Sequence, residues 1–85
     1  MFYIYVLYSV KFDRMYVGMT INCEHRLRQH NSGKTQSTKA FMPWIIIHKE
    51  EYLTREEARD RERYLKSAAG RRWRRKHLNL AAWRN

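Results

Sequence analysis

The run from Phe2 to Val10 is the sequence feature that most constrains the fold. Its residues are β-branched or aromatic almost without interruption, whereas a strand with one solvated face would alternate apolar and polar residues. A run of this kind is typical of a strand that is buried on both faces. We therefore predict that this strand lies at the centre of a sheet.

Two further strands are predicted beside it. Lys11 to Arg14 interrupts the apolar pattern and Met15 to Met19 resumes it, which is typical of a hairpin with a short polar loop. Trp44 to Tyr52 provides the third strand, and its three consecutive isoleucines indicate burial on both faces. The sequence thus predicts a small three-stranded antiparallel sheet.

The first predicted helix follows the hairpin. Thr20 to Asn22 offers a side-chain cap for the first backbone N–H groups, and the helix runs to about Asn31. Gly33 is expected to end it in the left-handed conformation. Lys34 to Met42 has no clear period and is rich in basic and hydroxyl side chains, so we predict an exposed loop there.

Two more helices follow the third strand. Thr54 and Glu57 have the spacing of a capping box, which predicts a helix that runs to about Ser67 and is ended by Gly70. A last helix is predicted from Arg71 to about Leu80. The order β-β-α-β-α-α predicts an α+β fold in which helices flank the sheet.

Length and composition limit the class of protein. A chain of 85 residues has room for one hydrophobic core, so we expect a single domain over residues 1–85. The lone Cys23 and the lack of an apolar run of roughly 18 residues favour a soluble cytoplasmic protein without membrane contact. The 18 Lys and Arg against 8 Asp and Glu give a charge of +10, which favours nucleic acid over an anionic membrane surface or an acidic partner.

Three polar residues fall where the helical pattern expects apolar ones. At about 100° per residue, Arg26 and His30 border the inward face of the first helix. Glu62 lies in the apolar stripe of the second, and it alone among the acidic residues is expected to occupy a costly position. A buried Arg–Glu or His–Glu pair would explain this placement. The alternative is a pocket with a carboxylate for a metal and cations for a phosphate.

The strands add tyrosines and a glycine. Tyr3 and Tyr5 share one face of the first strand, and Tyr16 and Gly18 share one face of the second. Core packing with a satisfied hydroxyl would explain any one tyrosine taken alone. A glycine inside a strand usually marks a bulge or the close approach of another group, so Gly18 requires an explanation.

Together these positions resemble the GIY-YIG nucleases, and the resemblance covers nearly the whole chain. The matching positions stand in the family's order: Tyr3-Ile4-Tyr5, Tyr16-Val17-Gly18, Arg26, His30 and Glu62. The arginine follows the motif glycine by eight residues and the histidine follows four later, which is the family's spacing. The sequence is most similar to small stand-alone bacterial members. Tyr3 replaces the first motif's glycine, and Asn79 is a candidate for the terminal asparagine of some members.

The resemblance implies metal-dependent phosphodiester hydrolysis, with Tyr5, Tyr16, Arg26, His30 and Glu62 meeting above the sheet. The carboxylate is a hard oxygen ligand suited to one Mg²⁺ or Mn²⁺, and the guanidinium is suited to neutralising phosphate oxygens. A phenol near a metal and a guanidinium would lose its proton below its free pKa of about 10, so Tyr5 would pass on a proton from the attacking water. Which of the tyrosines or the histidine is the base stays open.

The last predicted helix carries a dense cluster of cations. They are Arg71, Arg72, Arg74, Arg75 and Lys76. One interpretation is a solvated helix docked through Trp73 and Leu80, and another adds contacts to DNA phosphates; the two are compatible. Lys34 and Lys39 in the exposed loop are expected to flank the same surface.

The sequence contains no zinc cluster, long reading helix or separate recognition domain, and phosphate contacts alone carry no sequence code. The expected function is therefore a metal-dependent DNA endonuclease or nickase of low sequence specificity. The resemblance implies repair or processing of damaged, branched or single-stranded DNA. The alternative is a catalytically weak nucleic-acid-binding module that retains the nuclease fold.

Overall fold

The computed structural model describes residues 1–82, which form three strands and three α-helices with a short 3₁₀ turn before the third strand and another at the end. In chain order the elements are β1 (Phe2–Ser9), β2 (Arg14–Thr20), α1 (Cys23–Asn31), β3 (Ile45–Tyr52), α2 (Arg55–Lys66) and α3 (Ala68–His77). The predicted α+β class and element order are confirmed. None of the helices in this part of the chain is long and apolar enough to span a membrane.

The sheet is antiparallel with the strand order β2-β1-β3, so the predicted central position of β1 is confirmed. Its residues from Ile4 to Ser9 are all buried. Val10 was predicted to belong to this strand, but it lies outside β1 and is 38% exposed. Its side chain does not need burial because the chain has already left the sheet for the hairpin turn.

The prediction that β3 is buried on both faces was wrong. The isoleucines at 45, 46 and 47 are only half-buried because β3 is an edge strand. The pairing of β1 with β3 shifts register between Val6 and Leu7, which oppose His48 and Ile46. Ile47 is therefore the extra residue of a bulge, and it packs with the core on one side of the sheet.

Two apolar clusters cover the two faces of the sheet. Ile4, Val6 and Val17 pack against Ala58 and Leu65 of α2, and Leu78 beyond α3 completes this cluster. On the other face, Tyr5 and Leu7 pack with Cys23 of α1 and with Trp44. The strand alternation therefore sends the odd-numbered residues of β1 towards α1.

The predicted helix caps are present. The Asn22 Oδ1 accepts a hydrogen bond from the His25 N–H at 3.0 Å, and the Thr54 Oγ1 accepts one from the Glu57 N–H at 3.2 Å. Gly33 follows α1 with a φ of +81°, as expected for a left-handed terminator.

Two predictions about the last helices were wrong. Gly70 does not end α2, because the break occurs at Ser67, whose Oγ accepts from the Gly70 N–H at 3.1 Å and caps α3. A Cβ on Gly70 would overlap backbone atoms of Tyr64 and Leu65, so a glycine is needed where α3 crosses closely over α2. α3 also ends before Leu80, which lies in the final 3₁₀ turn and is buried there.

Candidate active site

The two motif tyrosines lie together on the sheet face that packs against α1. Tyr5 and Gly18 are paired across β1 and β2, and the Tyr5 ring occupies the space that a side chain at Gly18 would take. The ring centroids of Tyr5 and Tyr16 are 6.5 Å apart. Tyr5 is 2% exposed, whereas Tyr16 is only half-buried, so Tyr16 is the more accessible phenol.

His30 on α1 is fully buried beside these tyrosines. Its Nε2 lies 2.9 Å from the Tyr5 hydroxyl and its Nδ1 lies 2.8 Å from the Thr38 hydroxyl, while its ring centroid is 5.0 Å from that of Tyr16. Burial and the charge of Arg26 lower the pKa of His30 to about 4, so the imidazole is neutral near pH 7. The imidazole thus holds the Tyr5 phenol on one side and is itself held by Thr38 on the other.

Burial keeps the Tyr5 phenol protonated. Burial raises the pKa of Tyr5 to about 12, although the nearby Arg26 acts to lower it. The phenol is therefore protonated near neutral pH and can donate its O–H to the His30 Nε2. With that donation, a proton on Nδ1 directed at Thr38 satisfies both ring nitrogens. The expected loss of a proton below pH 10 concerned a phenol beside a bound metal, so it stays a prediction.

Arg26 lies one helical turn before His30 on α1 and is half-buried. Its Nη1 donates to the Oε1 of Gln29 at 2.8 Å. Within residues 1–82 the guanidinium forms no ion pair with a carboxylate. Its charge acts on both Tyr5 and His30, as the lowered pKa of His30 shows. A guanidinium beside Tyr5 and His30, without a carboxylate partner in the described residues, is suited to hold a phosphate.

Glu62 lies on α2, on the other side of the sheet, and Lys66 links it to Tyr16. Its carboxylate accepts a hydrogen bond from the Lys66 Nζ at 3.0 Å, and its side chain is 19% exposed. The Lys66 ammonium lies 5.9 Å from the centre of the Tyr16 ring. Because α2 packs on the face opposite α1, Lys66 passes the edge of β2 to reach Tyr16. Glu62 is therefore paired with an exposed lysine and not with a buried Arg or His.

The side chains of this site suit a divalent ion only if a substrate supplies further oxygen ligands. Within the described part of the chain, no group of three or more His, Cys, Asp or Glu side chains is close enough to hold a metal ion. Glu62 offers one carboxylate, and Mg²⁺ commonly takes one or two protein carboxylates with the rest of its shell from water and phosphate oxygens. The donor set suits an ion that is shared between the protein and a phosphodiester.

Three residues of this region were not foreseen from the sequence. Thr38 lies in a segment without periodicity, and only the fold brings its buried hydroxyl to His30. Gln29 is exposed and accepts a hydrogen bond from Arg26, a pairing that was not predicted from the sequence. Lys66 follows Glu62 by four residues, and this helical spacing would have predicted the pair.

Glu50 is the second half-buried carboxylate, so the prediction that Glu62 alone occupies a costly position was wrong. Glu50 lies 2.7 Å from the His48 Nε2, accepts from the Tyr52 hydroxyl at 2.6 Å, and binds the Arg61 guanidinium through both oxygens at 2.9 and 3.1 Å. Burial acts to raise its pKa, but the hydrogen bonds from Arg61, His48 and Tyr52 outweigh it and lower the pKa to about 2. This hydrogen-bond network lies on the sheet face opposite Tyr5 and Tyr16.

The predicted nucleic-acid-binding cations divide into two groups. Most are exposed: Lys34, Lys39, Arg71, Arg72, Arg75 and Lys76. Arg74 is only 7% exposed, and its Nε donates to the Leu65 carbonyl at 3.0 Å, so it lies deeper than the other cations of α3. Asn79 is exposed beyond α3 and lines a surface groove with Lys76 and His77.

Comparison with known proteins decides the family. The GIY-YIG catalytic domain matches residues 1–79. The chain belongs to the GIY-YIG family. Members of this family are nuclease domains that act on DNA and generally depend on a divalent metal.

Small UPF0213 proteins are among the relatives of this GIY-YIG chain. One from Staphylococcus haemolyticus is 33% identical over 66 residues, which cover 76% of this chain and 79% of that protein. One from Bacillus licheniformis is 40% identical over 65 residues, or 75% and 66% of the two chains. The solution NMR structure of a UPF0213 protein from Bacillus halodurans matches 89% of this chain and 82% of its own, with a TM-score of 0.53 and 26% identity.

Proposed function

We propose that this chain is a divalent-metal-dependent DNA endonuclease or nickase of low sequence specificity. The observation that carries the proposal is the cluster of Tyr5, Tyr16, Arg26 and His30 on one sheet face, with Glu62 linked to Tyr16 through Lys66. Membership of a nuclease family supports the same reaction class. The +10 charge supports a polyanionic substrate.

In this proposal two charged residues act on the phosphodiester. Arg26 binds the phosphate oxygens and neutralises the charge that builds up on them, since its guanidinium is positioned by Gln29. Glu62 would hold Mg²⁺ or Mn²⁺ together with phosphate oxygens. A bound divalent ion supplies polarisation of the phosphate and stabilisation of the leaving oxygen.

The burial of the phenols favours different roles for the two tyrosines. Tyr5 is sealed from solvent and donates to His30, so we assign it and His30 to positioning. Tyr16 is the half-buried phenol at the edge of the sheet, next to His30, and we assign it the contact with the attacking water. The sequence left the base open among Tyr5, Tyr16 and His30, and this proposal chooses Tyr16.

The proposal extends to substrate and setting. The chain is proposed to be one domain that binds the phosphate backbone without base-specific contacts. We propose that it acts in the repair or processing of damaged, branched or single-stranded DNA. The lone buried Cys23 is compatible with a reducing compartment, so we propose that the protein is cytoplasmic.

A plasmid-nicking assay tests the proposal. Supercoiled plasmid and single-stranded DNA are incubated with Mg²⁺ or Mn²⁺ and with the intact chain, Arg26→Ala or Glu62→Gln. Arg28→Ala and Glu56→Gln are the matched controls, because both residues are exposed on the same two helices. We expect the site variants to lose cleavage by about 100-fold or more and the controls to retain it. Identical products from all five proteins would overturn the proposal.

One observation favours a second candidate, a nucleic-acid-binding module that cuts poorly. The Glu62 carboxylate is paired with Lys66, and this ammonium competes with a metal for the same oxygens. This candidate would be favoured over the nuclease if the intact chain binds a single-stranded DNA oligonucleotide but leaves plasmid uncut in Mg²⁺ and in Mn²⁺.

A further inference from the structure

A cavity of about 350 Å³ lies between α3 and the turn that joins β1 to β2. Four arginines and one carboxylate supply its charged lining: Arg14, Arg71, Arg74, Arg75 and Asp13. Tyr8 and Met15 line it as well, from strands whose side chains there face α2 and α3. Most of the cavity therefore lies on the face opposite the tyrosine cluster, but Arg14 shares the face of Tyr16 on β2, and its guanidinium lies over the Phe41 ring.

Arg74 shows that the cavity is built for negative charge. It is 7% exposed, and the Leu65 carbonyl accepts a hydrogen bond from its Nε, which fixes the guanidinium in place. Burial and repulsion by Arg71 and Arg75 lower the pKa of this guanidinium, because three like charges converge at one place. A buried charge of this kind costs free energy unless an opposite charge compensates it.

Carboxylates in the described part of the chain do not provide that compensation. Within residues 1–82, none of the four arginines forms an ion pair with an acidic side chain. Asp13 lines the cavity and accepts a hydrogen bond from the Tyr8 hydroxyl at 2.6 Å. Among the described lining residues this is the one carboxylate, and the guanidinium groups of Arg71, Arg74 and Arg75 outnumber it. Guanidinium groups grouped in this way are suited to the oxygens of a phosphate.

We propose that this arginine pocket, formed by Arg71, Arg74 and Arg75 and bordered by Arg14, binds a backbone phosphate of the nucleic-acid strand that is cut at the tyrosine cluster. This inference rests on the proposed function for the identity of the strand. Arg14 and Tyr16 are two residues apart on β2, or about 7 Å along the strand. Since β2 is an edge strand, one bound strand can run past both places along the same edge.

Aromatic side chains beside the pocket favour nucleic acid over a free phosphate. Phe12 in the hairpin turn is 42% exposed and packs edge-on against Phe41, with 5.5 Å between the ring centroids. Lys11 lies 5.6 Å from the centre of the Phe12 ring, and Arg14 lies 4.4 Å from that of Phe41. An exposed ring among cations offers a stacking face for a base, which inorganic phosphate lacks.

Two double variants on α3 test the arginine pocket. Arg71→Ala/Arg75→Ala removes two pocket cations, and Arg72→Ala/Lys76→Ala removes two exposed cations of the same helix that do not line the pocket. Binding of a labelled single-stranded DNA oligonucleotide is measured by fluorescence anisotropy in EDTA at several salt concentrations. We expect the pocket variant to bind about 10-fold more weakly than the control variant. We also expect the slope of log binding constant against log salt concentration to become smaller by about 1. Equal losses of binding affinity in the two double variants would overturn the proposed phosphate site.

The Arg74 Nε–H resonance separates the two sources of phosphate. In ¹H–¹⁵N NMR spectra, we expect the oligonucleotide to shift this resonance at micromolar concentration and inorganic phosphate to shift it only at about 1,000-fold higher concentration. If inorganic phosphate shifts the Arg74 Nε–H resonance and a saturating oligonucleotide does not, then the pocket does not bind nucleic acid.

Because the binding is measured without a divalent metal, it does not depend on cleavage. A chain that binds through the pocket but leaves plasmid intact with Mn²⁺ would overturn the proposed nuclease and leave the pocket standing. A chain that cuts plasmid, but whose two double variants bind equally well, would overturn the pocket alone.

Discussion

Gly18 and Tyr5 face each other across β1 and β2, and the Tyr5 ring fills the space that a side chain at Gly18 would need. The ring in turn carries the hydroxyl that lies 2.9 Å from the His30 Nε2. The motif glycine thus sets the position of the phenol, and the phenol positions the imidazole. A change at Gly18 is expected to act on the candidate site without any contact to a substrate.

We predict that Gly18→Ala destabilises the chain by about 2 kcal/mol, because the added methyl group forces the Tyr5 ring to move. In a Tyr5→Leu background the ring is gone, so the same substitution should cost less than about 1 kcal/mol. The free energies of unfolding of the four proteins in this double-mutant cycle are measured by urea denaturation. Equal costs in the two backgrounds would contradict the relationship.

His30 is predicted to make stability depend on pH between about 6.5 and 4. Its pKa is lowered from 6.5 to about 4 in the folded chain, so in this range the unfolded chain binds the proton more readily. The stabilising contribution is present above pH 6.5 and is lost as the pH falls through 4, by up to about 3 kcal/mol. His30→Gln should remove this part of the pH dependence, measured by urea denaturation, whereas the exposed His25→Gln should retain it. If the free energy of unfolding of His30→Gln depends on pH as that of the intact chain does, the prediction for His30 is contradicted.

The sheet and the first helix could be predicted because their signals are local. The apolar run of β1, the Asn22 cap and Gly33 each act through neighbouring residues, and each lies where it was expected. The burial of β3 was predicted wrongly because an isoleucine run does not reveal whether a strand is central or at the edge. Gly70 was misread because its role is a contact between two helices, which the spacing of residues does not show.

The site could be predicted in its residue types but not in its charge states. The motif spacing brought together Tyr5, Tyr16 and His30, which the fold places within ring contact. The burial that raises the pKa of Tyr5 was not predicted, since it depends on the packing of α1 over the sheet. Thr38 escaped notice for the same reason, because a loop without periodicity places it against His30.

Glu50 is predicted to be the main acid-labile group of the fold. Its pKa is lowered from 4.5 to about 2, so its contribution is present above pH 4.5 and is lost as the pH falls through 2. Glu50→Gln breaks the ion pair with Arg61 and should cost about 2 kcal/mol at pH 7. The adjacent, exposed Glu51→Gln is the control and should cost less than about 0.5 kcal/mol. Urea denaturation at pH 7 and pH 3 measures both, and a Glu50→Gln chain as stable as the control would refute the assignment.

Lys66 is predicted to weaken the binding of a divalent ion at Glu62. Its ammonium lies 3.0 Å from the carboxylate oxygen and repels a second cation there. Lys66→Met keeps the length of the side chain and removes the charge, so we expect the affinity for Mn²⁺ to rise about 5-fold or more. Electron paramagnetic resonance of free Mn²⁺ measures this in the presence of an uncleavable oligonucleotide. The exposed Lys76→Met controls for the loss of one positive charge. If both variants bind Mn²⁺ like the intact chain, then Lys66 does not compete for the carboxylate, and the metal is held elsewhere or not at all.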